Sequence, residues 1–126
     1  MKKLGLFLIC FICLIGCSNK EDDLSFNTIS SEEAYKIMES KDVIILDVRT
    51  SSEFKSGHIK DALNIPLDSL EDLILEAVQD KDATILVYCQ SGRRSEEASK
   101  ILIDMGYKDV NNFGGINSWT YEIVTD

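Results

Sequence analysis

The stretch "ILVYCQSGRRS", from Ile85 to Ser95, leads from an apolar segment into a cysteine, a glycine and two arginines. Its apolar part belongs to "ATILVY", a run typical of a strand that is buried on both faces of a parallel sheet. A helical pattern, "SEEASKILIDMG", follows from Ser95 and ends at Gly106. The stretch therefore predicts a strand, a short loop and a helix, with Cys89 at the carboxyl end of the strand.

Strand and helix patterns alternate along the rest of the chain. "SSEEAYKIMES" opens with a capping box from Ser30 to Glu33 and predicts a helix. Its apolar face is Ala34, Ile37 and Met38. The further predicted elements are a buried strand in "DVIILDV" (42–48), a short helix from the capping box "TSSE" (50–53) to Gly57, a strand in "ALNIP", a helix in "SLEDLILEAVQD" with Leu70, Leu73, Ile74 and Ala77 on one face, a strand in "DVNNF", a turn at Gly114–Gly115 and a terminal helix in "INSWTYEIV". This alternation predicts an α/β fold, a mostly parallel central sheet with helices on both faces.

The N-terminal segment "MKKLGLFLICFICLIGC" has the pattern of a signal peptide. Two lysines precede an apolar run that is shorter than the roughly 20 residues of a transmembrane helix. "LIGC", ending at Cys17, resembles a bacterial lipobox, in which the cysteine receives lipid and becomes the first residue. We expect a lipoprotein signal peptide at 1–16, a tether at 17–29 and a folded domain at 30–126. The alternative is a short membrane anchor that is never cleaved.

This interpretation changes the meaning of the cysteines. Cys10 and Cys13 spell C-x-x-C, but both lie in the apolar signal core and would leave with it. With Cys17 acylated, Cys89 would be the only free thiol, so no intramolecular disulfide is expected. The domain is then expected outside the cytoplasm, in a bacterial cell envelope.

The chain is acidic, with 22 Asp and Glu against 13 Lys and Arg and a formal charge of −9. Loss of Lys2 and Lys3 with the signal would make it more acidic still. Such a surface argues against nucleic acid as a partner and against adhesion to anionic lipid headgroups. Membrane attachment would depend on the N-terminal lipid.

Several features of the cysteine loop favour an anion. Gly92 permits a backbone conformation that turns amides inward, and the following helix start adds partial positive charge. Arg93 and Arg94 add full charges, although Glu96 and Glu97 would partly offset them. Such surroundings can lower a cysteine pKa from about 8.5 to roughly 3.5–7.5. The alternative is a buried cysteine before an ordinary strand–helix turn.

"YCQSGRRS" resembles the active-site loop of rhodanese-like sulfurtransferases. Three further stretches match that family in the expected order: "ILDVRTSSEFKSGHI" (45–59), "DALNIP" (61–66) and "FGGINSW" (113–119). The resemblance extends from Ser30 to the C-terminus and implies a single rhodanese-like domain.

The resemblance also implies roles for individual residues. Cys89 matches the nucleophile that carries a persulfide, and the loop that binds the anionic group of the substrate matches Gln90, Ser91, Gly92, Arg93, Arg94 and Ser95. Asp47 and Arg49 match an element beneath the loop, with either a buried network role or a direct substrate role. His58, the only histidine, is either a general base or a structural hydrogen-bonding residue. Trp119 is expected in the core.

The implied chemistry is transfer of sulfane sulfur from a thiosulfate-like donor to a thiol or cyanide acceptor, without a metal or an organic cofactor. Loop amides and Arg94 would stabilise the departing anion. A cysteine phosphatase or arsenate reductase is a rival, but those enzymes use a longer C-x5-R loop than the C-x4-R from Cys89 to Arg94. A persulfide carrier without turnover, or a binding module, stays open.

Overall fold

The computed structural model describes residues 25–125. The predicted signal peptide, the lipidation site Cys17 and most of the predicted tether lie outside the described residues. The strands are β1 (Asn27–Thr28), β2 (Ile44–Asp47), β3 (His58–Ile59), β4 (Leu63–Asn64), β5 (Thr84–Cys89), β6 (Asp109–Gly115) and β7 (Ile123–Val124). The helices are α1 (Ser31–Ser40), α2 (Ser51–Ser56), α3 (Leu70–Ala77) and α4 (Arg93–Asp104). No helix within the described range is long and apolar enough to span a bilayer.

Five strands form a parallel sheet in the order β1-β6-β5-β2-β4, which confirms the predicted fold class. Strand β5 lies at its centre, and its side chains alternate between two apolar clusters. Leu86 and Tyr88 pack on one face with Ala34 of α1. Val87 and Cys89 face the opposite cluster, which α3 and α4 cover. Burial on both faces explains why the strand is apolar throughout.

Helices α1 and α2 both begin at the predicted N-cap residues, but only α2 forms the complete capping box, and at α1 the Ser30 hydroxyl bond alone is present. The Ser30 hydroxyl accepts a hydrogen bond from Glu33 N at 3.1 Å. At the start of α2, the Thr50 hydroxyl accepts from Glu53 N at 3.3 Å, and Glu53 Oε1 accepts from Thr50 N at 3.2 Å. Because Thr50 follows the end of β2 closely, this cap places Glu53 at the carboxyl edge of the sheet.

The predicted terminal helix is wrong. Ile116–Ser118 forms a single 3-10 turn, and the chain then extends into β7, which pairs antiparallel with β3. Aromatic packing explains the difference, because Trp119 is buried against Phe113, while Tyr121 stacks on Tyr35 with ring centroids 4.0 Å apart. An extended chain brings both rings onto the same cluster. The predicted core position of Trp119 is confirmed.

Smaller differences concern element boundaries. Helix α4 begins at Arg93, two residues before the predicted start, so Ser95 lies inside its first turn and is buried. Helix α3 buries Leu70 and Ile74, but Leu73 is 48% exposed, so its apolar face is narrower than predicted. Asn27, placed in the tether by its polar neighbours, pairs with Asn111 at the sheet edge.

Gly115 is the last residue of β6, where a turn was predicted. Its backbone is extended, with φ −122° and ψ 151°, and it pairs with Cys89 across the sheet. A Cβ atom placed on Gly115 would lie 2.2 Å from Gln90 O and 2.7 Å from Ser91 Cα. The cysteine loop therefore passes directly over this position, and only glycine leaves it room.

We expect Gly115→Ala to lower the free energy of unfolding by about 1–3 kcal/mol, because the methyl group must displace loop backbone. Denaturant unfolding measures the change. Gly106→Ala is the control for backbone strain without a clash, since Gly106 has φ 95° and a methyl group there would meet no atom within 4 Å. We expect Gly115→Ala to change the alkylation rate of Cys89 relative to wild type, and Gly106→Ala to leave that rate unchanged. Wild-type stability and reactivity in Gly115→Ala would contradict the close approach.

Candidate active site at the cysteine loop

The cysteine loop connects β5 to α4 through residues 90–92. Cys89 is 1% exposed, and its sulfur accepts a hydrogen bond from Gly92 N at 3.0 Å. Gly92 has φ 105°, a left-handed conformation that side chains disfavour, and it caps α4. The amide therefore points back at the sulfur because the chain reverses at a glycine.

Ser95 also contacts the sulfur. Its hydroxyl oxygen is 3.6 Å from Cys89 Sγ, and it is also 2.9 Å from Gly92 O and 3.2 Å from Gly114 O. A hydroxyl has one proton, so Ser95 donates either to a carbonyl or to the sulfur. When the sulfur is an anion, the charge favours donation to it.

Two opposing effects act on the Cys89 thiol. Burial raises its pKa, because a thiolate loses hydration there. Hydrogen bonds from the Ser95 hydroxyl and from the amides of Ser95, Gly92 and Ser91 lower it, and together they outweigh burial. The net pKa is below the ordinary value of a thiol, so the loop favours a nucleophilic thiolate.

The two arginines that follow the loop, at the start of α4, differ in their surroundings. Arg94 makes a bidentate ion pair with Glu53 of α2, at 2.7 Å from Nη1 to Oε1 and 2.9 Å from Nη2 to Oε2. The pair lowers the pKa of Glu53 to about 2 and raises the pKa of Arg94. Arg93 is exposed, and among residues 25–125 its side chain has no hydrogen-bond or ion-pair partner.

Beneath the loop lies a buried ion pair. Asp47, at the end of β2, accepts from the Arg49 side chain at 2.7 Å and from the Arg49 amide at 2.9 Å. The guanidinium also donates to Gly57 O at 2.7 Å and to Gln90 Oε1 at 3.3 Å. Both side chains are at most 3% exposed. The contacts favour the buried network role for Asp47 and Arg49.

Gln90 and Asn117 connect the loop to the chain after β6. Gln90 Nε2 donates to Asn117 Oδ1 at 2.7 Å, and Asn117 N donates to Gln90 O at 3.2 Å. The Gln90 side chain is thus held between Arg49 and Asn117. Ser91, the middle residue of the loop, is exposed.

His58 is buried at the start of β3. Its ring stacks on Phe54 at a centroid distance of 3.7 Å, and its Nδ1 is 2.9 Å from Phe54 O. These contacts join α2 to β3 and favour the structural alternative for His58 over a general base.

The sequence reasoning missed three contributors to this site. The sequence predicts only a capping role for Glu53, a turn at Gly115 and a helix at Asn117. The "TSSE" and "FGGIN" stretches contain all three, but no local pattern shows that they reach a loop elsewhere in the chain. Their roles come from long-range contacts.

No group of three or more His, Cys, Asp or Glu side chains within residues 25–125 is arranged to hold a metal ion. A cavity of about 510 Å³, with Tyr35, Asp42, Trp119 and Tyr121 in its lining, lies near the start of β2, at the opposite end of that strand from Asp47. None of its lining residues belongs to the cysteine loop. The groups that bind the Cys89 sulfur are mainly backbone amides, those of Ser91, Gly92 and Ser95.

The chain is similar to known proteins over most of its length. The family model described as "Rhodanese-like domain" matches residues 30–122. The thiosulfate sulfurtransferase PspE of Escherichia coli is 44% identical over 71 residues, which cover 56% of this chain and 68% of that protein. A sulfurtransferase of Allochromatium vinosum is 37% identical over 95 residues, covering 74% of this chain and 87% of the relative.

A solved structure described as a rhodanese with anions from E. coli is 38% identical, with a TM-score of 0.64. The match covers 68% of this chain and 100% of that structure's chain. A rhodanese-like domain protein from Staphylococcus aureus is 33% identical with a TM-score of 0.70, over 79% of this chain and 98% of its own. The family match spans most of the chain and includes the cysteine loop with the strands that hold it. The chain therefore belongs to the rhodanese-like domain family.

Proposed function

We propose that the protein is a sulfurtransferase that moves sulfane sulfur through a persulfide on Cys89. One observation carries the proposal: the Cys89 sulfur sits in a short loop and accepts a hydrogen bond from the Gly92 amide at 3.0 Å. Relatives named as thiosulfate sulfurtransferases support thiosulfate or a similar anion as the donor.

The reaction consists of two half-reactions. The Cys89 thiolate attacks the outer sulfur of thiosulfate, a new S–S bond forms, and sulfite departs with the electron pair of the broken bond. An acceptor thiolate or cyanide then attacks the outer sulfur of the persulfide. The acceptor leaves as a persulfide or as thiocyanate, and the Cys89 thiolate is restored.

The loop suits both steps. A persulfide places the reacting sulfur one S–S bond length, about 2.05 Å, beyond the nearly buried Sγ of Cys89. The amides that lower the thiol pKa also stabilise the persulfide anion and the charge that develops on the departing sulfite. They are fixed by Gly92 and by the start of α4, so they need no rearrangement during the reaction.

The rival reactions have less support. A phosphatase loop must surround a phosphate, yet this loop has three residues between Cys89 and α4, and Arg94 is paired with Glu53. A persulfide carrier without turnover would use the same cysteine and differs only in whether a donor and an acceptor react repeatedly. Catalytic turnover separates the two.

For the location, we propose a lipid-anchored protein of a bacterial cell envelope, with the domain outside the cytoplasm. The proposal rests on the signal-like residues 1–16 and on Cys17 in "LIGC". Acyl chains on Cys17 would attach an acidic domain to a membrane without a basic surface. Cys89, if it is the only free thiol, would then work where small thiols are scarce.

We expect purified wild-type protein to release sulfite from thiosulfate when cyanide is supplied, and Cys89→Ser to release none above background. A serine hydroxyl does not form a persulfide, while its size preserves the packing. Sulfite and thiocyanate are measured together, and circular dichroism verifies that both proteins are folded. Equal rates for the two folded proteins would refute the sulfurtransferase proposal.

The rate of Cys89 alkylation by iodoacetamide is expected to rise with pH and to level off with a midpoint below the ~8.5 of an unperturbed thiol. The sign follows from the lowered pKa, because the reactive thiolate is lost only as the pH falls through that lower value. Ser95→Ala should move the midpoint upward, since one donor to the thiolate is removed. A wild-type midpoint above that of a reference thiol in solution would contradict the role of the loop.

Mass spectrometry of protein from bacterial membranes should find a chain that begins at an acylated Cys17. After treatment with thiosulfate, Cys89 should gain about 32 Da, the mass of one sulfur atom, and cyanide should remove it. Cys17→Ala serves as the control and is expected to block lipid attachment. Recovery of an uncleaved, unacylated N-terminus would exclude the lipoprotein proposal while leaving the chemistry of Cys89 intact.

A further inference from the structure

We propose that Glu53 is a positioning residue that sets the charge preference of the cysteine loop: it binds Arg94 and neutralises that charge, so that Arg93 is the loop cation that meets the anionic donor. This inference rests on the sulfurtransferase function proposed above. It reverses the expectation from sequence, in which Arg94 stabilises the departing group.

The geometry of the pair supports this assignment. Both guanidinium nitrogens of Arg94 that reach Glu53 lie within 2.9 Å of a carboxylate oxygen, which is the two-pronged arrangement that arginine favours. The two side chains are about one-third exposed, at 33% and 31%. An approaching donor would therefore have to compete with a carboxylate that already occupies the guanidinium.

Glu53 is held in place independently of Arg94. Its Oε1 also accepts from Thr50 N at 3.2 Å and from the Thr50 hydroxyl at 3.0 Å, as part of the cap of α2. Because α2 follows β2 directly, the cap fixes the carboxylate relative to the sheet edge. Arg94 is consequently drawn toward α2 by a rigid partner.

Arg93 has the opposite environment. It is the first residue of α4, next to Gly92, and its exposed side chain has no partner in the described part of the chain. A free cation at the loop rim attracts a dianion more strongly than a monoanion. Arg94 and Cys89 interact electrostatically as well, so a change in the pairing of Arg94 should also be felt by the thiolate.

Glu53→Gln separates the effect of the Glu53 charge from the effect of its capping role. Glutamine at this position also completes a capping box, so the start of α2 is preserved while the negative charge is removed. We expect the ratio of kcat/KM for thiosulfate, a dianion, to that for benzenethiosulfonate, a monoanion, to rise about two- to fivefold. The pH midpoint of Cys89 alkylation should fall, since Arg94 is then uncompensated.

Three further variants test the expected direction of change in the donor ratio and in the alkylation midpoint. Arg94→Gln leaves Glu53 unpaired beside the loop and should lower the donor ratio and raise the alkylation midpoint. The double variant Glu53→Gln with Arg94→Gln should return both quantities to within about twofold of wild type, because it has no unpaired charge. Arg93→Gln should lower the donor ratio, mainly through KM for thiosulfate.

Asp82→Asn is the matched control. Asp82 pairs with Lys108 at 3.4 Å, away from the cysteine loop, so this variant removes the same charge without touching the site. It should leave the donor ratio and the midpoint unchanged. If Glu53→Gln does not fold, the double variant tests the proposal instead. A donor ratio that is as low in the double variant as in Arg94→Gln would show that Arg94 binds the donor directly, and would overturn the proposal.

The two proposals fail in different ways. Sulfite release that is absent from the wild type refutes the sulfurtransferase function, whereas the alkylation midpoint needs no turnover and still reports on the pair. A donor ratio and a midpoint that are the same in Glu53→Gln, Arg94→Gln and wild type overturn the role of Glu53 alone.

Discussion

The buried pair of Asp47 and Arg49 is the contact on which the site depends. It joins the end of β2 to the end of α2 through Gly57 O, and to the cysteine loop through Gln90. Two charges without water are costly to bury, and removing one partner from such a pair typically costs about 3–5 kcal/mol. Here Asp47 accepts hydrogen bonds on both oxygens, which offsets that cost. The pair therefore supports the cysteine loop from beneath, through the contact of Arg49 with Gln90.

The positive field at Cys89 comes from the dipoles of amide and hydroxyl groups more than from full charges. Arg49 is compensated by Asp47 and Arg94 by Glu53, and the groups that donate hydrogen bonds to the sulfur are backbone amides and the Ser95 hydroxyl. Fixed dipoles stabilise an anion at short range without binding it through a strong ion pair. In the proposed reaction, such dipoles would stabilise the Cys89 thiolate, the persulfide and the departing sulfite in turn, and would let the sulfite dissociate.

Prediction from sequence succeeded where the determinants are local. The starts of α1 and α2 follow from the hydroxyl side chains of their N-cap residues, with a carboxylate completing the cap in α2, and the buried strands follow from continuous apolar runs. It failed after β6, where a helix is predicted for "INSWTYEIV" but the aromatic rings of this stretch pack on Tyr35 and Phe113 in an extended chain. It also placed Leu73 on a buried face, because spacing alone does not show how much of a helix its neighbours cover.

The sequence by itself determined the fold class, the position of Cys89 at a strand end and the glycine that turns the loop, because each depends on residues that are neighbours in the chain. Only the tertiary structure decided which charges act at the cysteine. Glu53 and Arg94 are 41 positions apart, as are Arg49 and Gln90, and they meet because parallel strands bring their carboxyl ends to one edge of the sheet. Whether the charge of an arginine is neutralised depends on such a contact with a carboxylate. The order of residues along the chain does not show which arginine has one.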